Sequence, residues 1–188
     1  MKKIAVLLAE GFEEGEALLT VNVLRRAGFH CDAVGVTGAQ VTGSNGITVV
    51  ADRPLQGPMD DYDMVVLPGG LPGATNLRDD ARVIELVRRF DGAGKFVAAI
   101  CAAPMVLKRA GVSTGRRLTS YPSHEALFED ADYRQDLVVR DGNLITSRGP
   151  ATTLAFAYAL VEALGGDAAP LKKGMLYDRL LQSAGSEA

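Results

Sequence analysis

Cys101 stands at a seam between two kinds of sequence. Lys95-Phe96-Val97-Ala98-Ala99-Ile100 before it reads as a buried strand, and Ala102-Ala103-Pro104-Met105-Val106-Leu107 after it reads as the start of a helix. Pro104 suits a first helical turn, where the N–H it lacks would have no partner anyway. A cysteine at such a turn lies over a helix N-terminus, whose dipole and free N–H groups favour the nucleophilic thiolate. A thiol titrating well below a free cysteine is therefore expected of Cys101. The ordinary alternative is a buried structural cysteine, a description that fits Cys31 on its apolar stretch.

Three further groups have side chains or backbone suited to act with a thiol. Gly69-Gly70-Leu71-Pro72-Gly73 follows an apolar run. It lacks the position and the distant acid of a dinucleotide fingerprint, and no Gly-Lys-Ser/Thr follows. It reads better as a tight turn whose backbone N–H groups, with that of Ala102, face a developing oxyanion; the plainer reading is a loop that needs glycine for its dihedrals. Glu16 falls in the first turn of the first helix, near Glu10, Glu13 and Glu14. Glu13 and Glu14 are assigned to the helix dipole and solvent. A carboxyl buried beside a thiolate has its pKa raised, so Glu16 would stay protonated, hydrogen-bond the sulfur and shuttle a proton. Histidine is confined to His30, at a helix–strand junction away from the site, and His124, in a loop that can reach it. No cluster of His, Cys or acids has metal-ligand spacing.

Alternating elements must position these residues. Strands are expected at Ile4–Ala9, Phe29–Val36, Ile47–Ala51, Tyr62–Leu67 and Phe96–Ile100. Leu137–Arg140 and Asn143–Thr146 flank Asp141-Gly142 as a hairpin. Helices are expected at Glu14–Ala27, stopped by Gly28, at Asp80–Phe90, from Cys101 to Ala110, at Pro150–Leu164 and over the tail Ala168–Leu181. Near-continuous apolar strands alternating with helices mean a mostly parallel sheet covered on both faces. Ligands of such sheets bind beyond the carboxyl ends of the strands. That rule gathers residues 10–16, 68–73, Cys101 and 147–150 into one place.

The 188 residues suffice for one domain with a full core, and no linker or repeat divides them. A net charge of −3 with no dense Lys/Arg run offers nothing to nucleic acid. Two cysteines are too few for a disulfide framework, and a reducing cytoplasm is the simpler setting than a Cys31–Cys101 bridge. Met1-Lys2-Lys3 and the apolar run after it are followed at once by acids, which suits a first strand rather than a signal peptide. Leu154–Leu164 is too short to span a bilayer, so no membrane association is expected.

Four motifs then occur in order: Glu10-Gly11-Phe12-Glu13-Glu14-Gly15-Glu16, Val65-Val66-Leu67-Pro68-Gly69-Gly70, Ala98-Ala99-Ile100-Cys101-Ala102-Ala103-Pro104 and Thr146-Ser147-Arg148-Gly149-Pro150. Together they resemble the ThiJ/PfpI superfamily, most closely its DJ-one branch, that of the parkinsonism-associated deglycase. The likeness runs from the first strand to the helix ending at Leu164. It implies an α/β, flavodoxin-like three-layer sandwich with the cysteine on a nucleophile elbow, no cofactor, and a homodimer. It places the sulfur-bonding glutamate on Glu16, the oxyanion donors on Gly70 and Ala102, and an arginine near the dimer interface on Arg26. Gly69, Arg148 and Pro150 join the pocket through their motifs. A histidine carried by some members falls on Tyr121, with His124 three residues on, so Tyr121 lines the pocket or His124 serves the proton transfer. Ala102 stands where the protease-like branch has histidine, which argues against peptidase activity. Ala151 replaces a common glycine and is expected to narrow the crevice.

The function implied is a cofactor-free cysteine enzyme acting on small reactive aldehydes such as glyoxal and methylglyoxal, or on their early glycated adducts. The alternative is a peroxide-sensing or chaperone-like stress protein whose Cys101 oxidises to the sulfinate. A thiamine-related role finds no phosphate-binding motif to support it.

Overall fold

The computed structural model describes residues 1–186. Its strands are β1 (Lys3–Leu8), β2 (His30–Gly35), β3 (Gln40–Thr42), β4 (Thr48–Val50), β5 (Arg53–Pro54), β6 (Met64–Leu67), β7 (Phe96–Ile100), β8 (Arg117–Leu118), β9 (Asp132–Tyr133), β10 (Val138–Asp141) and β11 (Leu144–Ser147). Seven of them form the central sheet, in the order β10-β11-β7-β6-β1-β2-β5. Only the edge strand β10 runs antiparallel, in the hairpin with β11 that Asp141-Gly142 specifies. The interior strands β1, β6 and β7 are almost wholly buried, as their unbroken apolar runs require.

Helices cover both faces. α2 (Gly73–Asp79), α3 (Ala81–Gly92) and α4 (Pro104–Ala110) bury one side chain set against the odd-facing strand residues, including Ala5, Leu7, Val65, Leu67, Val97 and Ala99. α1 (Glu14–Arg26) and α5 (Thr153–Ala163) bury another against Ile4, Val6, Leu8, Val66 and Ile100. Each set follows the two-residue period of a strand, which sends successive side chains to opposite faces. α3 shows the corresponding helical logic: Asp80 caps it by accepting from Arg82 N at 2.8 Å, and Val83, Ile84, Leu86, Val87 and Phe90 form its inward stripe. The result is a flavodoxin-like three-layer α/β sandwich.

Several boundaries differ from the sequence expectation. β3 and β4 form a separate two-stranded ribbon, where the sequence predicts only the second strand. The strand expected from Tyr62 starts at Met64, because Tyr62 N closes a turn on Met59 O. β8 and β9 make a small parallel pair beside a 3-10 helix at Pro122–Phe128. The tail is two helices, α6 (Ala169–Gly174) and α7 (Tyr177–Ser186), broken where Leu176 turns to φ 61°. No helix among the described residues is long and apolar enough to cross a membrane.

In the sheet, β1 passes to β2 on one side, whereas β6, β7 and β11 lie on the other. Loops leaving β1 and β6 therefore diverge and open a crevice at the carboxyl ends of these strands. The segments carrying Glu16, Gly69-Gly70 and Cys101 leave β1, β6 and β7, three adjacent strands.

Candidate active site

Cys101 follows the last residue of β7 and has φ 63°, a left-handed conformation for a residue that carries a Cβ. L-residues avoid this region by roughly 1–2 kcal/mol. The surroundings hold it there: Cys101 N donates to Ser147 O at 3.0 Å, and Cys101 O accepts from Tyr121 N at 2.8 Å. The strand-to-helix turn thus lifts the sulfur above the sheet edge, half-buried, with the N–H groups of Ala102 and Gly70 beside it favouring its charged form.

Glu16 approaches from the first turn of α1 and is 1% exposed. Its Oε2 accepts from Gly69 N at 2.8 Å. Its Oε1 is buried with no hydrogen-bond partner, and the carboxyl lies beside the Cys101 thiol. Glu13 sets the helix start, accepting from Glu16 N as the N-cap. Its own N donates to Gly69 O at 2.9 Å, joining the loop after β1 to the turn after β6. Gly69 is glycine for space: a Cβ there would stand 2.6 Å from both Cys101 Cβ and Glu16 Oε2.

Burial raises the Glu16 carboxyl to about 7 despite the Gly69 N–H. Cys101 departs from the sequence expectation. Burial and then the adjoining Glu16 charge push its thiol up to about 12, against the lowering effect of the Ala102 and Gly70 N–H groups. α4 has only seven residues, so its dipole is too short to dominate. The two groups titrate as a pair that loses one proton near 7 and the other near 12, and between these values it holds one proton and one negative charge. Charge on sulfur has two N–H donors plus a protonated Oε1, whereas charge on the carboxylate has one N–H and a weak S–H. The donor count favours the thiolate beside a neutral Glu16. Cys31, buried on β2, is pushed up to about 12 with burial as the leading cause, and neither cysteine is bridged.

A cavity of about 230 Å³ opens over the sulfur, lined by Gly70, Leu71, Cys101, Ala102, Tyr121, Ser123 and His124. The structure brings together Cys101, Glu16, Gly69, Gly70, Ala102, Tyr121 and His124. Three expected pocket residues stand apart from this cavity. Arg148 turns toward Thr119, with Nη1 at 3.3 Å from Oγ1. Pro150 is exposed in the 3-10 turn that leads into α5. Arg26 lies near the C-terminal end of α1, about 15 Å along the helix from Glu16; there it borders a different hollow with Leu18, Val21, Asn22 and Arg25.

Glu14 overturns its assignment to dipole and solvent. It is 4% exposed and binds the β3–β4 turn, accepting from Asn45 N at 2.8 Å, Asn45 Nδ2 at 2.9 Å and Ile47 N at 3.3 Å. These bonds hold its carboxyl below the usual value although burial opposes them. The turn in turn grips the loop after β1: Gly11 N donates to Thr42 O and Ser44 N to Phe12 O, both at 2.8 Å. The only sequence signal for this arrangement is the glycine pair Gly43 and Gly46 around Ser44-Asn45.

A model of the DJ-1/PfpI family matches residues 2–163. Protein dj-1beta of Drosophila melanogaster is 44% identical over 169 residues, covering 88% of this chain and 90% of that protein. The Parkinson disease protein 7 homolog of Danio rerio is 39% identical over 174 residues, covering 88% and 90%. The crystal structure of Drosophila melanogaster DJ-1beta superposes with a TM-score of 0.90 at 43% identity, covering 94% of this chain and 98% of that one. Matched by the family model over residues 2–163 and by relatives over most of its length, the chain belongs to the DJ-1/PfpI family.

Proposed function

We propose that the protein is a cofactor-independent enzyme that converts 2-oxoaldehydes such as methylglyoxal, free or as early adducts, into 2-hydroxy acids. The observation that carries this reading is the buried, unpartnered Oε1 of a Glu16 carboxyl set beside the Cys101 sulfur, next to two backbone N–H groups that favour charge there. That arrangement supplies a nucleophile, an adjacent proton carrier near neutrality and preorganised donors at one point.

The Cys101 thiolate attacks the aldehyde carbon, forming a C–S bond and placing negative charge on the former carbonyl oxygen. The Gly70 and Ala102 N–H groups stabilise that oxygen, each by about 3 kcal/mol in the transition state. Glu16, neutral in the resting pair, protonates that oxygen to give the hemithioacetal, and the carboxylate so formed then takes the C–H proton and returns it to the neighbouring ketone carbon through an enediol. This shift oxidises one carbon and reduces the other, leaving a 2-hydroxy thioester without an external oxidant. Water then cleaves the thioester, releasing lactate from methylglyoxal and restoring the thiol. Product analysis with methylglyoxal tests this directly: lactate in many-fold excess over protein is expected from the wild type and none above background from Cys101→Ser. Stoichiometric consumption without turnover would refute it.

The same pair favours a second reading, oxidative sensing. A neutral Glu16 is placed to donate a hydrogen bond to an oxidised sulfur, which would hold Cys101 at the sulfinate. Mild peroxide should then add two oxygens to Cys101 and spare the buried Cys31, as read by peptide mass spectra; preferential oxidation of Cys31 would exclude it.

A further inference from the structure

The cavity over Cys101 has an unusual lining for a site beside a buried acid. None of its seven residues is Lys, Arg, Asp or Glu. Arg148 is directed at Thr119 and Arg26 borders another hollow, so neither supplies a cation to the cavity of its own chain. Above its first proton loss the Glu16–Cys101 pair adds a negative charge at the floor. An anionic compound entering here meets like charge with no counter-cation among the lining residues of this chain.

The mouth is apolar instead. Leu71 is 55% exposed and Tyr121 45%, both large side chains left open at the opening of a cavity they line. Tyr121 is not a loose surface ring. Its N–H is bonded to Cys101 O at 2.8 Å, which fixes its backbone to the nucleophile. Its ring meets that of His124 edge-on at 6.3 Å between centroids. On another side it lies over Gly149, where an added Cβ would already touch the ring at 3.4 Å. The volume of about 230 Å³ corresponds to roughly seven waters, more than a three-carbon ketoaldehyde fills.

We infer that this crevice selects neutral carbonyl compounds bearing an apolar, preferably aromatic, substituent next to the reacting carbon, and that Tyr121 is the residue that sets the preference. The substituent replaces water against Tyr121 and Leu71, while the carbonyl sits on the Gly70 and Ala102 N–H groups. Partial burial of one ring in an open crevice corresponds to roughly a fivefold gain. Repulsion of a carboxylate from the charged pair across a partly solvated gap corresponds to about a tenfold loss. The inference rests on the proposed carbonyl chemistry for turnover, but selection by the crevice is measurable without turnover.

The test is the second-order alkylation rate of Cys101 at about pH 8, above the first proton loss of the Glu16–Cys101 pair. Each rate is normalised to that of N-acetylcysteine amide, the reference thiol, corrected for thiolate fraction, and the site is verified by peptide mapping. After normalisation, phenacyl bromide should outrun bromoacetone by about fivefold. Iodoacetate should fall about tenfold behind iodoacetamide on the same scale. Tyr121→Ala should abolish the phenacyl preference and Tyr121→Phe should keep it. Wild-type ratios equal to those of the reference thiol would overturn the proposal, and a phenacyl preference that survives in Tyr121→Ala would overturn the role of Tyr121. In a parallel assay, phenylglyoxal should exceed methylglyoxal in kcat/KM. If neither is turned over while the alkylation preferences hold, the proposed reaction fails and the selective crevice stands.

Discussion

Replacing Glu16 by Gln removes the charge from the pair while keeping a side chain of nearly the same shape. In the wild type the paired groups lose protons near 7 and near 12. Two unit charges ~4 Å apart at an effective dielectric of ~20 repel by about 4 kcal/mol, equivalent to about 3 pKa units. Removing that repulsion should bring the Cys101 thiol from about 12 to roughly 9. The variant should therefore show one thiolate step lying between the two wild-type steps. Ultraviolet thiolate absorbance against pH, with Cys31→Ser as background, reads this. Thiolate in the wild type should appear with the first step, since charge on sulfur has the better set of donors. Around pH 7 the variant should alkylate more slowly, by about tenfold, because the smaller thiolate fraction is partly offset by greater intrinsic nucleophilicity. Lactate production should fall further, by about 100-fold or more, because Gln cannot carry the proton. A variant step near 12 would mean that burial alone controls the thiol. A step at or below 7 would mean that Glu16 takes no part in its titration.

Other outcomes follow from the same geometry. The Glu16–Cys101 pair keeps its first proton up to about 7, whereas Glu16 in the unfolded chain loses its own at about 4.3, so the stability this proton contributes is full below about 4.3 and is lost as pH rises through about 7. Denaturant unfolding should show a loss on the order of 3 kcal/mol across that window in the wild type, and a flat profile in Glu16→Gln would confirm the source. Glu14→Ala should destabilise by about 2 kcal/mol, because it strips a buried carboxylate from backbone donors at Asn45 and Ile47; a change below about 0.5 kcal/mol in chemical unfolding would return Glu14 to the surface role. Gly69→Ala should abolish turnover, since its Cβ would displace both Cys101 and Glu16; retained activity with an unchanged thiol titration would show that the turn has room to yield.

Much of the fold is legible in the sequence because its strongest signals are local. The runs Ile4–Leu8, Val65–Leu67 and Phe96–Ile100 announce interior strands by composition, and Asp141-Gly142 announces its hairpin by turn chemistry. α2 leaves no such signal: Thr75 and Asn76 are weak helix formers, and seven residues are too few for a period to emerge. The β3–β4 ribbon is held by tertiary bonds from Glu14, Gly11 and Phe12, and short edge ribbons of this kind leave little pattern in the chain. In the site, Cys101, Glu16 and Gly69-Gly70 are readable because strand ends gather loops. The thiol's direction of titration is not, since it depends on how deeply Glu16 is buried beside it. Arg148 and Arg26 are carried in by motif and position, which do not specify where a long side chain turns.

Cys101 keeps φ 63° in a fold that supplies no relief for it. A glycine would occupy that conformation without steric penalty, so Cys101→Gly should exceed Cys101→Ala in stability by roughly 1 kcal/mol. The position at which chemistry is concentrated is thus one where the backbone alone would choose a residue incapable of any. Selection for folding by itself would erode this protein toward an inert, slightly sturdier sandwich, and enrichment of glycine at position 101 in a library sorted only for stability would record that drift.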